Sequence, residues 1–314
     1  MTALICGSFA YDHIMVFHDQ FKNHILPEKV HILNVSFMVD EMRREFGGCA
    51  GNIAYNLHLL GGKGLPMGTV GHDFGLYAEW MQGKGIDSTH VLTINDVFTG
   101  QAFITTDLDD NQITAFHPGA MVYSHYNNVA DTDGITIGII SPDGRDGMLQ
   151  HAEQFHELNI PFIFDPGQGM PMFGGEELKK FIEQATWVSV NDYEWQMMQK
   201  KTEFSPHELA EQIEALIITR GGQGSVIYTR DKRYDIPSAR VEKIVDPTGC
   251  GDAFRAGLLY GLMNDMDWDT TGRVASLMGA IKIENHGTQN HTFDRDEFES
   301  RFEESFGYRL ALNS

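Results

Sequence analysis

Asp246–Gly257 reads DPTGCGDAFRAG. Pro247 constrains the entry turn, and Gly249 and Gly251 let the backbone turn tightly with its N–H groups bare. From Asp252 an apolar run follows, Ala253, Phe254, Ala256, Gly257, Leu258 and Leu259, with helical rather than strand character. A helix starting near Asp252 turns its unpaired N–H groups and the positive end of its dipole the same way. That makes an anion site suited to a phosphate. A carboxylate at the mouth of such a site is costly unless it has a use, and Asp252 has one: it can accept the proton of a hydroxyl that attacks phosphorus. The competing reading is an ordinary glycine-rich turn with Asp252 as helix cap.

Outward from this stretch the chain alternates. Ala3–Phe9 reads as a buried first strand ending at Gly7-Ser8. Strands are predicted at Leu65–Val70, Ile135–Ile140, Pro161–Asp165, Trp187–Val190, Ala215–Thr219 and Ser225–Tyr228. Helices are predicted at Gly51–Leu60, Phe74–Gly83, Met148–Leu158, Glu176–Ala185, Asp252–Met263, Thr270–Glu284 and Arg295–Phe306. Strands alternating with helices imply an α/β fold, a mostly parallel sheet covered on both faces. Two excursions break the pattern. Residues 12–40 carry the patches His13–Phe17 and Val30–Val35, and residues 99–121 carry Ala102–Thr106 and Ile113–Phe116 around Asp109-Asp110-Asn111, a hairpin signal. They predict a small sheet set apart as a lid on a single domain. Ligands of such a sheet sit at the carboxyl ends of its strands, where Gly7, Asp165, Asn191 and Arg220 fall.

At 314 residues and a formal net charge of −21, the chain is large enough for a substantial core and unsuited to nucleic acid or an anionic membrane as main partner. Cys6, Cys49 and Cys250 are scattered without metal-like spacing, which fits a reducing cytosol. The N-terminus lacks the pattern of a signal peptide, and no stretch approaches the ~18 uninterrupted apolar residues of a membrane span. A cytoplasmic protein is expected. The Walker-type loop and the dinucleotide-binding glycine fingerprint are both absent.

Three more strings carry chemistry. In Gly47-Gly48-Cys49-Ala50-Gly51-Asn52 the glycines allow close backbone approach, and Asn52 offers donors and an acceptor to a pair of hydroxyls; the alternative is a helix-entry turn. Asn191-Asp192-Tyr193-Glu194 has the spacing of a capping box. Thr219–Gly224 (TRGGQG) is a glycine loop in which Arg220 either adds charge at a phosphate or forms a surface salt bridge. His286 and His291 are read as surface histidines, since nothing nearby completes a metal site.

Together, DPTGCGDAFRAG, REFGGCAGNIAYNLHLLGG, GSFAYDHIM, ITTDLDDNQITAFHPGAM, FDPGQG and VNDYEW resemble the ribokinase (PfkB-type) carbohydrate kinases, nearest to their bacterial adenosine or nucleoside kinases. The resemblance spans Gly7 to Gly287. It departs from the usual Asp-Thr-x-Gly-Ala-Gly-Asp string at Pro247-Thr248 and Cys250, and from Asp-Pro-Asn at Gly167-Gln168. It implies a ribokinase-like three-layer sandwich with a β-sheet lid, and ATP-dependent phosphorylation of the 5′-hydroxyl of a purine nucleoside, adenosine first, then inosine or guanosine. Asp252 is the implied base, with Gly249, Cys250 and Gly251 as anion hole. Asp12, Gly48 and Asn52, with Ser8, are implied on the sugar. Asn191, Thr219, Arg220, Gly222, Gly224, Asn285 and Gly287 are implied on ATP, and Asn191 and Glu194 on Mg2+ through water. The Asn285 region is also where some members bind a monovalent cation such as K+.

A nucleoside needs a flat apolar slot for its base, and the lid offers Phe37, Met38, Phe103, Phe116 and Met121, with Gln101 as a polar handle. Plain lid packing accounts for each equally well. A ribose or fructose kinase, or a non-catalytic nucleoside sensor, are the rival readings. An exposed lid sheet also suits pairing with a second copy.

Overall fold

The computed structural model describes residues 1–25, 32, 34–109 and 111–310. In chain order it contains β1 (Thr2–Cys6), β2 (Ala10–Val16), β3 (Glu41–Gly47), α1 (Cys49–Leu59), β4 (Lys63–Val70), α2 (Gly75–Gly83), β5 (Val91–Thr93), β6 (Gly100–Thr106) and β7 (Gln112–His117). Then come β8 (Ile137–Ile140), α3 (Arg145–Glu157), β9 (Phe162–Phe164), α4 (Gly175–Gln184), β10 (Trp187–Asn191), α5 (Asp192–Thr202), α6 (Pro206–Ala210) and β11 (Ala215–Thr219). The chain closes with β12 (Ser225–Tyr228), β13 (Arg233–Ile236), α7 (Cys250–Met263), α8 (Trp268–Ile283) and α9 (Arg295–Phe306).

Side-chain alternation in the strands sets the layers. Ala3 and Ile5 of β1 face a core shared with α1, α2, α7, α8 and α9, while Leu4 and Cys6 face a second core shared with α3 to α6. Strands buried on both faces read as unbroken apolar runs, which is why they were visible in the sequence. The sheet has nine strands in the order β13-β12-β11-β10-β9-β8-β1-β4-β5, parallel from β11 to β5 with an antiparallel edge at β12 and β13. The chain leaves β1 for β4 on one side and returns with β8 on the other. The crevice between the carboxyl ends of β1 and β8 is therefore the place for a ligand.

A four-stranded sheet, β3-β2-β6-β7, gathers both excursions, with β2 and β6 parallel and each flanked by an antiparallel partner. The expected hairpin is β6–β7; Asp110 of its turn lies outside the described residues. Strand β3 differs from expectation. The second strand patch of that excursion is expected at Val30–Val35, of which Val30, His31 and Leu33 lie outside the described residues, whereas the strand that pairs with β2 is Glu41–Gly47. EMRREFG is an edge strand with charges on both faces, so its period of two is hidden. Strands β5 and β13 and helix α6, each of three to five residues, also went unseen.

Candidate active site

Gly48 precedes α1 at φ +88°, and a Cβ there would lie 2.5 Å from Phe9 Cα. Lacking a side chain it cannot cap the helix, and Ser8 does so instead. The Ser8 hydroxyl accepts from the Cys49 N–H (3.2 Å) and its carbonyl from the Ala50 N–H (3.0 Å). The end of β1 and the start of α1 are thereby locked together at the crevice.

Asn52 lies one turn into α1, with 3% of its surface exposed. Its Nδ2 donates to Asp252 Oδ2 (2.8 Å), and its Oδ1 accepts from Gln289 Nε2 (2.9 Å). Gln289 is fixed in turn, because its Oε1 accepts from Trp80 Nε1 (3.0 Å) and its Nε2 also donates to the Tyr77 hydroxyl. This relay turns the nitrogen of Asn52, not its oxygen, toward the carboxylate.

Asp252 is the third residue of α7 and not its cap; Gly249 holds the cap position at φ +79°. Burial pushes the Asp252 carboxyl up to about 6, against the Asn52 hydrogen bond that pulls it down. One expectation needs correcting. The Cys250 N–H is not free, because it closes the Pro247 turn by donating to the Pro247 carbonyl (3.2 Å). Among the described residues no acceptor takes the N–H groups of Gly249, Gly251 or Asp252, and these are what the helix start offers to an anion.

Arg255, on the next turn, ties three elements together. Its Nε and Nη2 donate to the two carboxylate oxygens of Asp165 after β9 (2.8 and 2.9 Å), and its Nη1 donates to the Gly251 carbonyl (3.2 Å). Its Nη2 also stands 3.9 Å from Glu194 Oε2. Asn191 and Glu194 form the reciprocal capping box of α5: Asn191 Oδ1 accepts from the Glu194 N–H (2.7 Å), and Glu194 Oε2 accepts from the Asn191 N–H (2.8 Å). Asp12 projects from β2 on the far wall, where burial first, and then the charges of Asp246 and Glu45, raise it to about 6.

These groups line one cavity of about 740 Å3, shared with Ser8, Phe116, Met121, Gln168, Gly249 and Gly251. The proposed base slot is only partly there. In β6, Ala102 and Ile104 face the cavity, as do Thr114 and Phe116 of β7. Gln101 and Phe103 fall on the opposite face, since successive strand residues alternate. The Gln101 amide is committed to His13 (2.6 Å) and Asp73 (2.7 Å), and Phe103 stacks on the His13 ring. Phe37 packs with Phe17 and Phe21, and Met38 is 82% exposed; neither lines the cavity.

Thr219 ends β11, paired beside Asn191, and Arg220, Gly222 and Gly224 follow it, but none of the four lines the cavity. Arg220 makes no ion pair among the described residues; its Nη2 donates to the Gln223 carbonyl (3.3 Å). Asn285 and Gly287 also lie off the cavity. The Gly287 N–H donates to Asp246 Oδ2 (3.0 Å), and the Asn285 side chain bonds the end of α8. His291 is not a surface residue: it is buried beside Asn56 (2.7 Å), and burial lowers it to about 4, so it is neutral. His286 is exposed. Gln289, Trp80, Tyr77 and Arg255 had not been singled out. A single arginine inside the apolar run of α7 was the one trace any of them left in the sequence.

Residues 9–294 match the sequence model described as pfkB family carbohydrate kinase. The chain belongs to that family. Among the pfkB kinases of known structure, the nucleoside kinase of Burkholderia thailandensis in complex with inosine is 52% identical, with a TM-score of 0.90 over 98% of this chain and 99% of that one. The same protein in complex with ADP-inosine gives a TM-score of 0.88 over 100% and 98%. The nucleoside kinase of Methanothermobacter thermautotrophicus is 31% identical over 98% of both chains. A ribokinase from Thermotoga maritima, 20% identical with a TM-score of 0.77 over 96% and 99%, shares the fold.

Proposed function

We propose that this pfkB kinase transfers a phosphoryl group from ATP to the 5′-hydroxyl of a purine nucleoside, with Asp252 as general base. The observation that carries the reading is the meeting, in one cavity at the switch point, of the half-buried Asp252 carboxylate, a helix start with unpaired N–H groups, and the polar side chains of Asn52 and Asp12. The likeness to a kinase solved with inosine supports the nucleoside as acceptor. Asp252, held by Asn52, takes the hydroxyl proton, while the N–H groups of Gly249 and Gly251 stabilise charge on the transferring group. Ser8, Gly48, Asn52 and Asp12 hold the ribose. Phe116, Met121, Ala102 and Ile104 supply the apolar wall for the base. Thr219–Gly224 and the Asn285–Gly287 loop are assigned to the nucleotide.

The donors at Asn191 and Glu194 fit Mg2+ only as a hydrated ion. Capping occupies one oxygen of each side chain, and among the described residues no group of three His, Cys, Asp or Glu forms a metal shell. Bound there through water, Mg2+ would neutralise phosphate charge. The outward face of the small sheet exposes Met42, Phe103 and Ile113, which supports pairing of two copies through it.

The test is the initial rate of ADP release with Mg·ATP against adenosine, inosine, guanosine, cytidine, ribose and fructose. Turnover of purine nucleosides but not free sugars is expected. A preference for ribose or fructose would keep the phosphoryl chemistry and remove the base wall, and binding without turnover would make the protein a sensor.

A further inference from the structure

The resemblance raised K+ as a ligand of the Asn285 region, and the residues there do not fit it. Lys282, in the last turn of α8, is fully buried with no exposed surface. A buried lysine needs partners, and its ammonium finds them in main-chain carbonyls: Asp246 O at 2.7 Å and Asn285 O at 3.0 Å. Those two carbonyls belong to the two loops that flank the helix start of α7. The Asp246 carboxylate joins the same loops, accepting from the Thr248 N–H (2.9 Å) and the Gly287 N–H (3.0 Å). The N–H groups of Val245 and Asp246 both donate to the Ile283 carbonyl (2.9 and 3.0 Å). Asp246, Glu45 and the Cys250 thiol favour the charged ammonium, and His291, which also lies within its reach, stays neutral because burial and the ammonium itself lower it to about 4.

An ammonium and a potassium ion share a charge and a liking for carbonyl oxygens. We infer that Lys282 is a tethered monovalent cation: it holds Asp246 O and Asn285 O, fixes the loop that presents Gly249 and Gly251, and makes this enzyme independent of K+. Lys282 touches no reacting atom in this scheme and is a positioning residue. The inference rests on the kinase reading above, because it assigns the loop a part in phosphoryl transfer.

The test compares K+, NH4+, Na+ and tetramethylammonium chlorides at constant ionic strength. It measures both turnover of a purine nucleoside with Mg·ATP and the melting temperature of the free enzyme. For the unaltered protein, turnover is expected to vary by less than about two-fold across the series and melting to show no preference for K+. Lys282→Ala is expected to lose roughly 10–100-fold in kcat, with KM for the nucleoside little changed, as a displaced loop would cause. K+ or NH4+ should restore part of that loss and raise the melting temperature of this variant, while Na+ and tetramethylammonium should not. Activation of the unaltered enzyme by K+ beyond about ten-fold would overturn the inference. So would a folded Lys282→Ala that is fully active without K+, or one that no cation restores. If the variant does not fold, the series on the unaltered protein decides alone. If no nucleoside is phosphorylated at all, the kinase reading fails, and the melting series still tests the tethered cation.

Discussion

Replacing Asp252 by Asn keeps its shape and removes its capacity to take a proton. Turnover is expected to fall roughly 10²–10⁴-fold with nucleoside affinity little changed. Steady-state kinetics and calorimetry check this, and near-normal turnover would remove Asp252 as the base. The same residue sets a pH limb. Its carboxyl is raised to about 6, so it is ionised above that pH and protonated below, and kcat/KM should fall as pH drops through about 6. Asp12, also raised to about 6, titrates in the same window, so the acid limb should be steeper than one proton and return to one in Asp12→Asn. At this scale the sequence showed what needs a special backbone. Glycines at Gly48 and Gly249 mark positive φ, and the residues beside them carry the chemistry. The relay from Trp80 through Gln289 to Asn52 was invisible, because a buried polar contact across more than 200 positions leaves no local period. Arg255 and Lys282 did leave a trace, as charges on helix faces that the surrounding spacing buries.

Helix α7 is anchored by the Arg255–Asp165 pair, with side chains 7% and 3% exposed. Arg255→Met leaves Asp165 buried without its partner and should destabilise the fold by about 3–5 kcal/mol in urea unfolding. The double variant with Asp165→Asn should lose less than the two single losses added together. Strand β6 makes a second prediction by alternation alone. Ala102→Trp fills the cavity and should abolish nucleoside binding, whereas Phe103→Trp, one residue on, should leave it within about two-fold. Equal effects from both would mean that the wall is not β6. The buried parallel strands and the longer helices were legible because tertiary burial and local pattern agree in them. The edge strand β3 and the three-residue β5 were not, because neither is long or one-sided enough to show a period.

The outward face of the small sheet leaves Phe103 and Ile113 exposed on adjacent strands and Met42 exposed on the far edge. Sedimentation of the unaltered protein is expected to give a dimer, and Phe103→Glu with Ile113→Glu a monomer; a monomer from the start would leave that face without a partner of its own kind. The way that sheet is sewn also governs how the chain is made. Its central pair joins Ala10–Val16 to Gly100–Thr106 in parallel, so these two strands cannot meet until synthesis has passed the second. By then β1, α1, β4, α2 and β5, one flank of the large sheet, have already been made. The nascent protein thus carries β2 unpaired on that side for the time it takes to build a flank, and the wall bearing Asp12 is finished only when residues some ninety positions later arrive to join it.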